Sequence, residues 1–234
     1  MTDFADAGSA TLALLSGADP GLWAIVMLSL GVSGAATLVA TCIALPLAAW
    51  LVLTPFRGRG AVVAVLNALM GLPSVVVGLA VYLLLSRAGP LGSLGILFTP
   101  AAMVVAQAIL VAPLITALAR QTLEDAHAEF GPYLATLGAG RPAMVGTLLR
   151  EARFALFTAV LAGFGRAAAE VGAVLIVGGN IDGVTRVMTT AIALETSKGE
   201  LGLALGLGAV LLAVVLAVNV LAHGLRAYAA RRHG

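Results

Sequence analysis

Long apolar runs alternate with short polar stretches along the whole chain. From Pro20 no charged residue occurs until Arg57. Further apolar runs cover residues 61–86, 101–119, 154–178 and 201–222, the third and fourth flanking the most polar segment. None of them alternates residue by residue, as the strands of a membrane barrel would. A helix needs about 20 apolar residues to cross the hydrocarbon layer of a bilayer. The pattern therefore predicts an all-α integral membrane protein with about five transmembrane helices. The first run is longer than one crossing needs, so its helix is tilted or extends beyond the membrane. Asp19-Pro20 reads as its start, with aspartate as cap and proline in the first turn. Pro46 marks a kink within it, and Gly31, Ser33 and Gly34 offer a face for close helix packing. In the second run, Gly71-Leu-Pro-Ser74 joins a helix breaker to a hydroxyl that can cover a freed carbonyl. It reads either as a structural kink or as part of a polar pathway.

Composition agrees with this pattern. Of 234 residues, 61% are hydrophobic and 10% charged, with a mean hydropathy of +1.07. A soluble domain carries about 25% charged residues. The net charge of +2 matters less than its placement. Arginines group at Arg57 and Arg59, at Arg120, Arg141, Arg150 and Arg153, and at Arg226, Arg231 and Arg232. Arg87, Arg186 and Lys198 fall in the alternate loops. Cytoplasmic loops collect positive charge, which puts the three groups inside, the N-terminus outside and the C-terminus inside. That orientation requires an odd number of spans, as five is. No basic run suits nucleic acid. The lone Cys42 lies in an apolar run and reads as a packing residue. Asn219 reads as a polar contact to a neighbouring helix.

The chain divides into an extracytoplasmic segment, 1–18, a membrane domain, 19–226, and a basic cytoplasmic tail, 227–234. The first segment has Asp3 and Asp6 but no basic residue, so it lacks the start of a cleavable signal. Phe4, Thr11, Leu12 and Leu15 suit either a weak amphipathic helix or a disordered stretch.

Two segments carry candidate chemistry. The first is the polar cytoplasmic loop 120–153. Inside it, Pro132 suits a helix start and Gly138 a helix end. The short helix between them places Tyr133, Leu134 and Leu137 on one apolar face. Such a face docks on a partner or packs on the membrane domain. The second is residues 163–199. There Arg166 and Glu170 interrupt an apolar helix four residues apart, on one face. Charges within a bilayer are rare and point into the protein. They either neutralise each other or hold a gate. The helix is expected to break at Gly178-Gly179-Asn180, and a polar piece with Thr189 and Thr190 follows. Irregular backbone at membrane depth needs protein or a water-lined path to cover it. Arg166, Glu170, Gly172, Gly178, Gly179, Asn180, Thr189, Thr190 and Ser74 are thus candidates for a translocation path or gate.

Other chemistry is missing from the sequence. There is no phosphate-binding loop of the G-x-x-x-x-G-K-[ST] type and no H-E-x-x-H or G-x-S-x-G motif. No metal, cofactor or enzymatic activity is expected of the chain. Five helices are few to enclose a polar path, so a homodimer with the path on its axis is the economical arrangement.

The wording EVGAVLIVGGN followed by TRVMTTAIALETSKGE resembles the permease subunit of tungstate-type ABC importers, within the wider molybdate, sulfate and phosphate permease group. The resemblance extends over residues 19–226, and LREARFAL and GFGRAAAEVGAVLIVGGN fit the tungstate subgroup better than the molybdate one. It implies an ABC importer type I permease fold in the inner membrane. It also implies a second permease copy, an ABC ATPase docked through a cytoplasmic coupling helix, and an extracytoplasmic substrate-binding protein. The group's coupling signature, E-A-A-x-x-x-G with a later Leu-Pro, would place its glycine at Gly138. Here its first positions read Pro132-Tyr133-Leu134, and its Leu-Pro positions read Arg150-Glu151. The implied function is ATP-driven import of an oxyanion, tungstate first, then molybdate, sulfate or phosphate. The alternative from another class is an ion-coupled secondary transporter using Arg166 and Glu170.

Overall fold

The computed structural model describes residues 20–233, and the expectations for 1–18 and for an Asp19 cap lie outside them. Among the described residues there are helices and turns and no strand. Helix α1 is Pro20–Leu53, α2 Arg59–Leu69, α3 Ser74–Leu85, α4 Pro100–Thr136 and α5 Arg141–Glu151. They are followed by α6 Arg153–Ala168, α7 Gly172–Gly178, α8 Met188–Lys198 and α9 Leu201–His233. A single 3-10 turn, Gly92–Leu94, lies between α3 and α4. Three stretches, Gly21–Leu53, Pro100–Thr136 and Leu201–Gly224, are each long and apolar enough to cross a membrane. Two pairs, α2 with α3 and α6 with α7, meet the same test when each pair counts as one broken span, giving up to five.

Helix α4 contains the clearest departure from the sequence expectation. Its 37 residues reach about 55 Å at 1.5 Å per residue, against a hydrocarbon layer of about 30 Å. The part bearing Arg120, Glu124, Asp125 and Glu129 therefore extends past the apolar layer. Pro132 does not open a separate short helix; it lies inside α4, as does Pro113. Proline forfeits one backbone hydrogen bond, but Leu123 and Ala126 anchor the preceding turns in a packed cluster. The end expected at Gly138 is present. Gly138 has φ 68°, its N–H donates to Ala135 O, and the N–H of Ala139 donates to Leu134 O. This is the left-handed glycine stop of a Schellman motif.

The chain forms two compact units. One comprises Met1–Gly34, Ser74–Gln107 and Ala168–Gly234, the other Ala35–Pro73 and Ala108–Ala167. In the first, Leu22 and Val26 of α1 pack with Met188 and Ala191 of α8 and with Leu207 and Val210 of α9. In the second, Ala40 and Ala44 of α1 pack with Val111 and Ile115 of α4 and Ala167 of α6. Ala48, Ala49, Leu123, Leu148, Ala152 and Leu156 form a further cluster that holds the polar segment 120–153 in place. Arg59 Nη2 and Arg120 Nη1 donate to the two oxygens of Glu124, tying the start of α2 to α4. These side chains are partly exposed, so each link contributes at most about 1 kcal/mol.

Three further expectations are corrected. The close-packing face of α1 is an alanine ladder, Ala36, Ala40, Ala44 and Ala48, all without solvent exposure. Gly31 and Gly34 border open space, though Ser33 is buried. Four-residue spacing keeps the alanines on one helix face, where small side chains allow close approach. Cys42 falls off that ladder and is exposed. Asn219 Nδ2 donates 2.8 Å to Val215 O in its own helix; a side chain one turn from a carbonyl satisfies itself locally.

Candidate functional site

The fourth apolar run is interrupted earlier than its sequence suggests. Helix α6 ends at Ala168, and Glu170 and Val171 lie in the break before α7. Arg166 and Glu170 therefore do not share one uninterrupted helix. Arg166 sits in the last turn of α6, where a cation is favoured by the helix dipole. Glu170 is buried at 3% exposure. Its Oε1 accepts the Ala173 N–H at 3.1 Å, satisfying one of the free donors at the start of α7. Its carbonyl accepts Thr189 Oγ1 at 2.8 Å. The residue thus ties the break to α8 from both its side chain and its main chain.

The second run is also interrupted. N–H groups of Met70, Gly71 and Leu72 turn back to Asn67, Ala68 and Leu69 carbonyls, and Pro73 has no N–H to continue. Helix α3 then starts at Ser74. The halves that follow the two breaks, α3 and α7, pack backbone against backbone. A Cβ on Gly78 would lie 2.7 Å from Ala173 Cα, and one on Gly172 would lie 2.9 Å from Ser74 Oγ. Only glycine permits that approach. Two sequence candidates 98 positions apart, Ser74 and Gly172, are thereby neighbours.

The glycine stretch at the end of α7 forms a tight knot. Thr185 Oγ1 donates to Gly178 O at 2.6 Å and accepts the Ile181 N–H at 2.9 Å. Gly179 and Asn180 take left-handed backbone angles, φ 72° and 50°. Asn180 Nδ2 donates to Thr190 O at 3.4 Å. Thr190 Oγ1 accepts the Val187 N–H and donates to Val187 O, closing the start of α8. Phe98 N–H donates to Val177 O at 3.0 Å, and its ring rests against Gly179. Glu170, Gly172, Gly178, Gly179, Asn180, Thr189, Thr190 and Ser74 thus belong to one unit, while Arg166 and Pro132–Gly138 belong to the other. Most of these polar groups hold backbone in place.

Sequence reading missed Thr185 and Ser29. Ser29 Oγ accepts the Met188 N–H at 2.8 Å, 159 positions away, and donates to Ile25 O. An isolated serine in an apolar run carries no mark of so distant a partner. In the second unit, Tyr133 and Leu137 in the last turn of α4 are each 65% exposed. Leu134 is half-buried, and Pro132 and Gly138 are exposed. Among the described residues no group of acidic, histidine or cysteine side chains is placed to hold a metal.

No family model matches the chain. Individual relatives are nonetheless informative. The tungstate uptake system permease protein TupB of Peptoclostridium acidaminophilum is 42% identical over 97% of this chain and 99% of its own. A probable anion ABC transporter permease protein of Haloferax volcanii is 40% identical over 91% of this chain and 94% of its own. The molybdenum transport system permease protein ModB of Escherichia coli is 31% identical over 78% of this chain and 84% of its own. Such identity along nearly the whole length sets aside the ion-coupled alternative. With its broken and unbroken apolar spans, this multi-pass protein of the cytoplasmic membrane belongs to the ABC transporter permease family that includes the tungstate uptake permeases.

Proposed function

We propose that two copies of this chain form the path by which an oxyanion, tungstate foremost, enters the cell. ATP is hydrolysed on a separate ATPase, and an extracytoplasmic binding protein delivers the anion. In this reading the chain is not itself an enzyme and binds no cofactor. The observation that carries it is the pairing of α3 and α7, each the second half of an interrupted helix. Gly71, Pro73, Ala169 and Val171 at the two breaks are exposed. Irregular backbone cannot face lipid, so a second copy and a wet path between copies account for it. Tungstate stands first because the relatives named for it are 40% and 42% identical to this chain, against 31% and 32% for those named for molybdenum. Molybdate is the second reading, supported by the ModB relatives at 31% identity. Uptake of labelled tungstate by cells carrying the whole transporter tests this. Deletion of the chain should abolish uptake, and excess molybdate should compete more strongly than sulfate. Undiminished tungstate uptake in the deletion strain would overturn the assignment.

The arginine grouping supports an N-terminus outside and a C-terminus inside. A reporter fused after Arg232 should read cytoplasmic, and one inserted at Asp182-Gly183, an exposed turn, should read external. A cytoplasmic signal from the second fusion contradicts the five-span arrangement.

Glu170 separates a scaffold from a gate. Glu170→Gln keeps an oxygen able to accept from Ala173, so uptake per folded permease should match wild type. Glu170→Leu leaves that N–H unpaired, at a cost of about 1–3 kcal/mol, visible as a lower melting temperature. A several-fold change in uptake per folded molecule in Glu170→Gln, at normal abundance, would make the carboxylate part of the gate.

A further inference from the structure

A small cavity lies within the first unit, with Ser29, Ser33, Gln107 and Thr189 on its wall beside the apolar Val32 and Val187. It leaves about 10 Å³ for the centre of a water-sized sphere. A buried water needs roughly that much room and two to four polar partners. Ser33, Gln107 and Thr189 are each buried, at 4%, 3% and 7% exposure, and bring hydroxyl and amide groups to its wall. Apolar cavities stay dry, whereas one of this size with polar groups on its wall has room for a single water. Its position adds a second reason. Ala168, also on its wall, ends α6, and carbonyls at a helix end lack intrahelical donors. Thr189, on the same wall, is committed through its hydroxyl to Glu170 O within the break.

We propose that this cavity holds ordered water that solvates the interrupted backbone between α6 and α7. The water lies inside one subunit and does not depend on transport or on the identity of the anion. It also accounts for Gln107, a polar residue in the middle of an apolar run that the proposed path does not use. Ser29 contributes from α1 while holding the first N–H of α8, so water here is shared by α1, α4 and α8.

X-ray pulse footprinting of the purified permease in detergent tests this, because radiolysis of a bound water oxidises the side chain beside it. Met188 lines the cavity and is 1% exposed, whereas Met103 is unexposed and does not line it. Met188 should be oxidised several-fold faster than Met103. Gln107→Leu should reduce the Met188 rate towards that of Met103, and Ser33→Ala serves the same purpose if the first variant folds poorly. Equal rates for the two methionines in the wild-type protein would overturn the proposal. So would a Met188 rate that falls when sodium replaces choline in the buffer, since a bound cation would then be the occupant.

Discussion

Gly78→Ala is expected to destabilise the folded permease by about 1–3 kcal/mol, the range for overpacking a close-packed contact. The new methyl would meet Ala173 Cα at 2.7 Å, with Ala173 O and Ile176 Cβ each at 3.3 Å. Two of these three atoms are main chain, so no rotamer change relieves the clash, and α3 must move away from α7. A larger residue such as leucine should prevent accumulation of folded protein altogether. Gly146→Ala in α5 is the matched control, because a Cβ there meets nothing within 4 Å. Alanine is the better helix former by about 0.5–1 kcal/mol, so this variant should be neutral or slightly stabilised. The check is the melting temperature of each variant in detergent, beside uptake per folded molecule. A Gly78→Ala protein that melts with wild type would show that α3 and α7 do not pack backbone to backbone.

Leu137→Arg is expected to abolish uptake while leaving the permease folded and inserted. The prediction rests on the proposed docking of the α4 end onto an ATPase. Leu137 is mostly exposed, so a charge there costs the subunit itself little. Buried unpaired in an apolar groove of a partner, the same charge would cost several kcal/mol, enough to reduce binding more than a hundredfold. Tyr133→Asp, on the same exposed turn, should act in the same direction. Leu134 is half-buried, so its replacement confounds docking with stability. Copurification of the ATPase with the tagged permease reads the effect directly. Normal copurification and uptake in the Tyr133→Asp/Leu137→Arg double variant would move the docking site elsewhere.

The end of α4 was legible only in part. Gly138 was legible because a left-handed helix stop is a local requirement that glycine meets. Pro132 misled for a related reason: proline suits a first turn in isolation, and nothing nearby shows that Leu123 and Ala126 are already anchored. The same limit applies to the break after α6. The run Ala167–Ala168–Ala169–Glu170–Val171 contains no breaker, and helix propensity alone would continue through it. It is interrupted where Glu170 turns its carboxylate to Ala173 and its carbonyl to Thr189.

The sequence by itself determined the class of protein and the apolar runs long enough to cross a membrane. Lipid imposes its demand residue by residue, so apolar length records it along the chain. It also marked the residues Ser74, Gly172, Thr189 and Thr190, since polar or flexible positions stand out in an apolar background. Only the tertiary structure decided what those residues do. The contact of Gly78 with Ala173, the bond from Met188 to Ser29 and the cavity beside Gln107 each join residues far apart in the chain. Their energy depends on distances of a few ångströms between helices, which no local pattern of residues encodes.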